Sequence, residues 1–517
     1  MGASLSYALT IIANALGFIL APFLLGRLGS TQMGIYETIG ALAGYMAVLD
    51  FGVNSTITRY ISKYRAEKQE ERTQNLLAHC LILYSVLAAT VLAIGFVLWF
   101  NLEPIIKSLS AFQGSEGFDV ANIGTAKTMF LILLANIALS LPLRTFTAAM
   151  NGYERFTLPR LLNILRVVLR FVLILIFISL KFGVLTIAVI DLAANISMLV
   201  INMLYVLLKM KQKVRLQKLE LPFIKELMIF SLPIFLTMVY DQIFWKVDQL
   251  IIFGIMGFAS AYVVSAVMRL VVIFMQFSTS ISEVFLPRIT QMVSKKASGD
   301  DLTDLMIRVG RIQFLILGLI LTGYLLFGQN LLISWLGGRD AYTDSQMLNM
   351  YYIGCIILVP LTLPLIQNTG ISMLVAKNKH HFRSTVYFII AVLNIGLTIW
   401  LVKAFGIVGA SIATAIALLL GNGIIINIYY SRAIGLKIGR FFKDCVARLG
   451  VPMIISAGLG YLIARFIAVP GSWGNLLLCC VIYLAIYAAV MWLTGMNSYE
   501  KDMVRRAAAK FTRKKGA

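Results

Sequence analysis

Charge is scarce in this sequence, and negative charge scarcer still. Only 13% of the 517 residues are charged, and 23 Asp and Glu face 45 Lys and Arg, for a net charge of +22. The apolar share is 60% and the mean hydropathy is +0.87. That balance excludes a soluble globular protein and leaves a polytopic integral membrane protein. In a soluble domain a charge of +22 would point to nucleic acid. Here the cations sit in short loops between apolar runs, which is the pattern of membrane topology.

Cysteine and histidine are also thin. Cys80, Cys355, Cys445, Cys479 and Cys480 have no paired spacing, and His79, His380 and His381 have no metal-site spacing. A disulfide framework and a zinc centre are therefore not expected, and no metal ligands are assigned. The chain lacks a Walker motif and a glycine-rich phosphate loop, so energy must come from an ion gradient, the membrane potential or downhill substrate flux. It also lacks HExxH, a serine nucleophile elbow and a large outer loop, so no catalytic residue is assigned and an enzyme is not expected. A membrane polymerase or ligase would generally need a sizeable outer loop with catalytic Arg or His. The first apolar run lacks a basic leader and a cleavage site and reads as a retained span.

What the sequence has in abundance is apolar runs of spanning length. They predict an all-α integral membrane fold of about fourteen transmembrane helices, including spans near 5–26, 33–54, 124–150, 157–180, 183–208, 224–256, 259–287 and 475–494. Lys and Arg collect in alternate loops: Arg59 to Arg72, Lys209 to Lys218, Arg288 to Lys296, Lys377 to Arg383, Arg432 to Lys443, and Lys501 to Lys515. The positive-inside rule makes those loops, and both termini, cytoplasmic. The segment 62–75 reads as an exposed charged helix continuing from the second span. The loop 102–123, with Glu103, Glu116 and Asp119, has room for a short helix. The tail at 501–515 reads as a basic anchor on anionic lipid.

The halves resemble each other at an offset of 223–228 residues. LLGRLGSTQMGIY (24–36) matches IIFGIMGFASAY (251–262), and residues 160–184 match 383–407, pairing Phe182-Gly183 with Phe405-Gly406. Six spans per repeat give a parallel repeat. The expected organisation is an N-lobe at 1–208, a cytoplasmic linker at 209–224, a C-lobe at 225–432, two further helices within 446–494, and a basic tail at 495–517.

Several charges fall inside spans, where they face a bundle interior or a watery cavity rather than lipid. Asp241, Lys246, Asp248 and Arg269 flank a turn near Gly257-Phe258. Asp248 and Arg269 sit at similar depth, either as a salt bridge or as the charged floor of a substrate path. In the fifth span Arg160, Asn163, Arg166 and Arg170 lie within about 120° of a helical wheel. Arg170, roughly 20 Å along the helix, is expected to pair with Asp191. Arg144 either joins that ladder or lines a cavity. Asp50, Asn54, Ser55, Thr56 and Arg59 read as helix-end capping at the cytoplasmic interface. Thr10 and Asn14 are mild polar sites in the first span, and Asn14 is carried as a cavity candidate.

Residues 24–64, with the Leu-Gly turn, Gly34-x-Tyr36, Asp50-Phe51-Gly52 and Arg59-Tyr60, resemble the polysaccharide (O-antigen and teichoic-acid type) flippase family of the multidrug/oligosaccharidyl-lipid/polysaccharide (MOP) exporter superfamily. NGYERF (151–156), DQLII (248–252) and AYVVSAVMRL (261–270) fit as well. The resemblance implies a flippase that moves a lipid-linked oligosaccharide, usually on undecaprenyl diphosphate, from the inner to the outer leaflet of the bacterial cytoplasmic membrane. It implies substrate contact by Arg269, which matches a cavity cation in the eighth span of lipid II flippases, assisted by Lys246. Arg144 and Asn14 are further cavity candidates, and Asp248 and Asp241 are candidates for counter-charges or for a coupling cation, Na+ or H+. No other cofactor is expected. The implied partners are the lipid-linked substrate, membrane lipid, and a polysaccharide polymerase or assembly proteins. The chain departs from lipid II flippases in lacking their cluster of arginines in the first span. An ion-coupled multidrug exporter of the same superfamily is the alternative, but those depend on a buried acid in the first span and 5–26 has none.

Overall fold

The computed structural model describes residues 2–111, 120–218, 221–337, 343–377, 379 and 381–513. Glu116, Asp119, His380 and Lys515, named above, lie outside these residues. Among the described residues all regular structure is helical. In chain order come α1 (Gly2–Ala47), α2 (Val53–Ala66), α3 (Glu70–Ala111), α4 (Val120–Gly152), α5 (Thr157–Ser179), α6 (Leu185–Leu204) and α7 (Leu221–Ser294). They are followed by α8 (Gly299–Leu336), α9 (Asp344–Ile366), α10 (Asn368–Ala376), α11 (His381–Phe405), α12 (Ile407–Leu418) and α13 (Ile426–Ile434). The last four are α14 (Ile438–Phe441), α15 (Arg448–Phe466), α16 (Trp473–Val490) and α17 (Ser498–Arg513).

Twelve helical segments among the described residues are long and apolar enough to cross a membrane. This is a multi-pass integral membrane protein. Large apolar side chains such as Ile11, Phe100, Trp400 and Ile454 are exposed on its surface, which water would penalise and hydrocarbon does not. Two segments are exceptionally long, 43 residues at Ala8–Asp50 and 60 residues at Phe235–Ser294. A straight helix of 43 residues would measure about 65 Å against a hydrocarbon core of about 30 Å. Each carries one glycine off the helical path, Gly29 at φ 80°, ψ 167° and Gly257 at φ 83°, ψ 176°. The expected fourteen spans count each of these segments as two. The two glycines are 228 residues apart, so the repeat seen in the sequence is also a repeat of backbone conformation. The second matched pair, near 183 and 406, likewise falls in each half between two helices, α5 and α6 or α11 and α12.

The chain divides into two compact units, 1–265 and 266–517. In the first, α4 packs against α1, α3 and α6, and α5 packs against α1 and α6. Gly34 sits against the backbone of Phe258, where any Cβ would overlap the carbonyl. Gly44 meets the Gln242 side chain, whose Nε2 donates to the Ala41 carbonyl at 3.3 Å. The part of α1 after Gly29 thus packs closely on α7 at Gln242 and at Phe258, on either side of Gly257. The expected single helix at 62–75 is instead the end of α2, a turn at 67–69 and the start of α3, and its charged residues are exposed as expected.

In the second unit a buried amide organises three helices. Gln313 of α8 donates to the Ser278 carbonyl and hydroxyl and to the Ser282 hydroxyl of α7, at 2.8–3.0 Å, and Ser278 donates to the Leu365 carbonyl of α9 at 2.6 Å. Beyond the repeat, α16 is tied to α8 by two buried hydroxyls, Tyr483 donating to Thr322 at 2.6 Å and Tyr487 to the Leu315 carbonyl at 2.8 Å. Ser298 with Asp301, and Thr343 with Gln346, form capping boxes that start α8 and α9.

The described part of the tail is more than the surface anchor expected of it. Asn497 and Glu500 cap each other's backbone amides at 2.9 Å, which starts α17 and turns Glu500 inward. There the Glu500 carboxylate meets the Arg311 guanidinium at 2.5 and 3.0 Å, with side-chain exposures of 2% and 5%. Arg311 also donates to the Asp444 carbonyl at 2.7 Å and the Gly495 carbonyl at 2.8 Å. Removing one member of such a pair strands the other charge, at a cost of about 3–5 kcal/mol. Glu500→Ala is accordingly expected to lower thermal stability in detergent and to speed tryptic cleavage in α17. Wild-type cleavage rates in that variant would rule out the docking role.

Candidate functional site

The charged residues inside the spans resolve into separate arrangements. In the first unit Arg170 of α5 and Asp191 of α6 form the expected ion pair, closed by a second contact of 3.1 Å from Arg170 Nη2 to Asp191 Oδ2. Tyr36 of α1 completes it, donating to Asp191 at 3.0 Å and accepting from Arg170 at 3.1 Å. Sequence reasoning missed Tyr36 as a member of this group, although it belongs to the Gly34-x-Tyr36 motif. That motif now has a physical meaning: Gly34 admits the Phe258 backbone, and Tyr36, about half a turn on, reaches α5 and α6.

Arg144 of α4 does not join this group. It donates to Asp50 at 3.1 Å, and Asp50 is buried, with a side-chain exposure of 7%. The expectation that Asp50 caps a helix at the membrane interface is therefore corrected. Phe51 and Gly52 both adopt left-handed conformations, at φ 53° and 66°, and this two-residue break between α1 and α2 accompanies the inward placement of Asp50. Arg144 keeps 36% of its side chain exposed.

Asp241 and Asp248 lie two turns apart on one stripe of α7, with Asp241 exposed and Asp248 half-buried. Lys246 is exposed and turned roughly 140–160° from them around the helix. Phe244 and Gln249 on the same stretch are buried. Asn14 of α1 is half-buried. Arg269 belongs to the second unit, half-buried on a stretch of α7 whose neighbours Ala266, Val267 and Val271 are fully enclosed. No cluster of three or more His, Cys, Asp or Glu suited to a metal ion occurs among the described residues.

The second unit also carries an apolar groove of about 380 Å³, lined by Leu270, Phe274, Leu319, Leu358, Leu476 and Leu484 among others. It draws on α7, α8, α9 and α16, so one helix outside the repeat, α16, forms part of its wall.

A family model described as polysaccharide biosynthesis protein matches residues 2–293, more than half of the chain. The chain belongs to this family. No curated protein sequence matches it. Among solved structures, the lipid II flippase MurJ in an inward closed conformation is 18% identical with a TM-score of 0.73, over 96% of this chain and 99% of that one. An inward-facing multidrug resistance MATE family transporter of the MOP superfamily is 15% identical with a TM-score of 0.67, over 84% and 95%. A MOP superfamily transporter from Pyrococcus furiosus, whose binding pocket is described as reversed in polarity, is 14% identical with a TM-score of 0.55, over 84% and 93%. The fold is the one these solved transporters share.

The Tyr36–Arg170–Asp191 group gives a direct test of its structural role. Asp191→Ala leaves a half-buried guanidinium without its counter-charge and is expected to destabilise the protein by about 1–3 kcal/mol, less than for a fully enclosed pair. The Arg170→Leu/Asp191→Leu double variant is expected to recover most of that loss. Thermal unfolding of the purified protein reads both, and a double variant at least as unstable as Asp191→Ala would contradict the pairing account.

Proposed function

We propose that this protein is a flippase that moves a lipid-linked oligosaccharide or polysaccharide repeat unit, carried on undecaprenyl diphosphate, from the inner to the outer leaflet of the bacterial cytoplasmic membrane. Membership of the polysaccharide biosynthesis family carries the reading. The likeness in fold to a lipid II flippase supports it, and so does the presence of an apolar groove in the second unit and of charged residues inside the spans. A lipid-linked substrate has those two chemistries, a polyprenyl tail that needs only apolar surface and a diphosphate-sugar head that needs polar partners.

In this reading the N-lobe (1–208) and C-lobe (225–432) alternate in exposing the path, with both termini cytoplasmic. Arg269 and Lys246 meet the diphosphate, because Arg donates two parallel hydrogen bonds to phosphate oxygens and Lys adds a compact positive charge. The exposed part of Arg144 and the half-buried Asn14 are further contacts for the head group. Asp248 and Asp241, on one stripe, are counter-charges or the binding point of a coupling cation, Na+ or H+. A polysaccharide polymerase or assembly protein takes the product at the outer leaflet. Ion-coupled multidrug export is the second reading. Likeness to the MATE transporter favours it, and the absence of any acid from residues 5–26 weighs against it.

Deletion of the gene is expected to accumulate one oligosaccharide-lipid on the cytoplasmic side, assigned by its inaccessibility to an external sugar-modifying enzyme. An unchanged lipid pool with altered sensitivity to cationic drugs would favour the multidrug reading. Arg269→Ala is expected to abolish export while the protein remains in the membrane at wild-type abundance, and normal export would remove Arg269 from the path.

A further inference from the structure

Helix α5 separates two environments cleanly. Leu161, Leu165, Val168, Leu169, Val172 and Ile176 are exposed, at 39–58% of their surface. On a wheel of 100° per residue they form one face, and Arg160, Asn163, Arg166 and Arg170 form the face roughly opposite. All four polar residues are half-buried. The exposed apolar face is the one suited to hydrocarbon, so the accessible part of the arginine stripe opens on the other side of the helix, toward the interior of the first unit, where α5 packs on α1 and α6.

The three arginines are not equivalent. Arg170 is answered in full by Asp191 and Tyr36. Arg166 donates to the Asn163 side-chain carbonyl at 3.0 Å, a neutral partner. The Arg160 guanidinium lies over the Phe156 ring at 5.3 Å. Neither Arg160 nor Arg166 forms an ion pair among the described residues. The Asp191 carboxylate, held by Arg170, also acts electrostatically on Arg166, so the positive charge of Arg160 and Arg166, about 9 Å apart along the helix, exceeds what the ion pair neutralises. A half-buried guanidinium turned from the exposed apolar face and without an ion pair of its own suits an anion that arrives from outside the protein.

We propose that Arg160 and Arg166 bind the phosphate groups of a lipid head group, with Arg170 as the fixed structural end of the same stripe. The planar donor fork of arginine matches phosphate oxyanions, and the polar Asn163 between them adds an amide able to contact phosphate or sugar. The inference deepens the flippase reading and depends on it for the identity of the carrier. The chemistry itself is shared by undecaprenyl diphosphate and by an anionic phospholipid.

The test is binding of undecaprenyl diphosphate, and separately of phosphatidylglycerol, to the full-length protein purified in detergent, read by native mass spectrometry. Arg160→Gln/Arg166→Gln is expected to weaken undecaprenyl diphosphate binding by about tenfold or more, while phosphatidylglycerol binding stays unchanged. A loss confined to phosphatidylglycerol would keep the phosphate site and assign it to membrane lipid instead. Wild-type binding of both lipids by the Gln variant overturns the inference and leaves the flippase reading standing. Failure of the wild-type protein to bind undecaprenyl diphosphate counts against that reading itself. Arg160→Lys/Arg166→Lys retains both charges and guards against misfolding of the Gln variant. It is expected to bind undecaprenyl diphosphate more weakly than wild type and more tightly than the Gln pair, and wild-type affinity for both lipids in the Lys and Gln variants alike would again overturn the site.

Discussion

A bilayer core offers no hydrogen bonds, so every charge brought into it has to be answered by the protein or by what the protein carries. That constraint explains the internal wiring of both units. In the first, one carboxylate and one phenol hold Arg170, and a second carboxylate, Asp50, holds Arg144. In the second, Glu500 and two backbone carbonyls account for Arg311. Neutral networks obey the same rule: Gln313 spends its amide protons on two serines, and Tyr483 and Tyr487 fasten α16 to α8 through single hydroxyls. Because lipid tails are as apolar as leucine, these polar contacts and the close fit at small residues such as Gly34 do much of the work that the hydrophobic effect does in water.

Reading the chain this way sorts its charges into two kinds. Those with complete partners are structural, and their removal should disturb stability before transport. Arg160 and Arg166, half-buried and without an ion pair of their own among the described residues, are the proposed contacts of an incoming anion.

Much of this was visible in the sequence where geometry is local. Arg170 and Asp191 are 21 residues apart on consecutive spans, so counting depth from the intervening turn was enough to pair them. The glycine breaks were visible as matched Leu-Gly and Met-Gly turns, and Gly29 and Gly257 share nearly the same torsions. What failed to show were contacts closed by distant chain. Glu500 lies 189 residues from Arg311, and its only local sign was an Asn-x-x-Glu start hidden in a basic tail. Asp50 was misjudged because polar residues at a span end usually face the interface. Here the left-handed Phe51-Gly52 pair ends the helical run, and the carboxylate lies inside the unit.

The breaks at Gly29 and Gly257 are each a single residue long. Helix runs up to the glycine and resumes straight after it, so at neither place is there a loop to lengthen, tag or cut. Reporter insertions and epitope mapping, the usual means of establishing which side of a membrane a connection faces, have no spare segment to use there. At Gly257 an added residue would also push Phe258 against Gly34, where there is no room even for a methyl group. Orientation at these two points has to be read with probes no larger than a substituted side chain, placed one turn away.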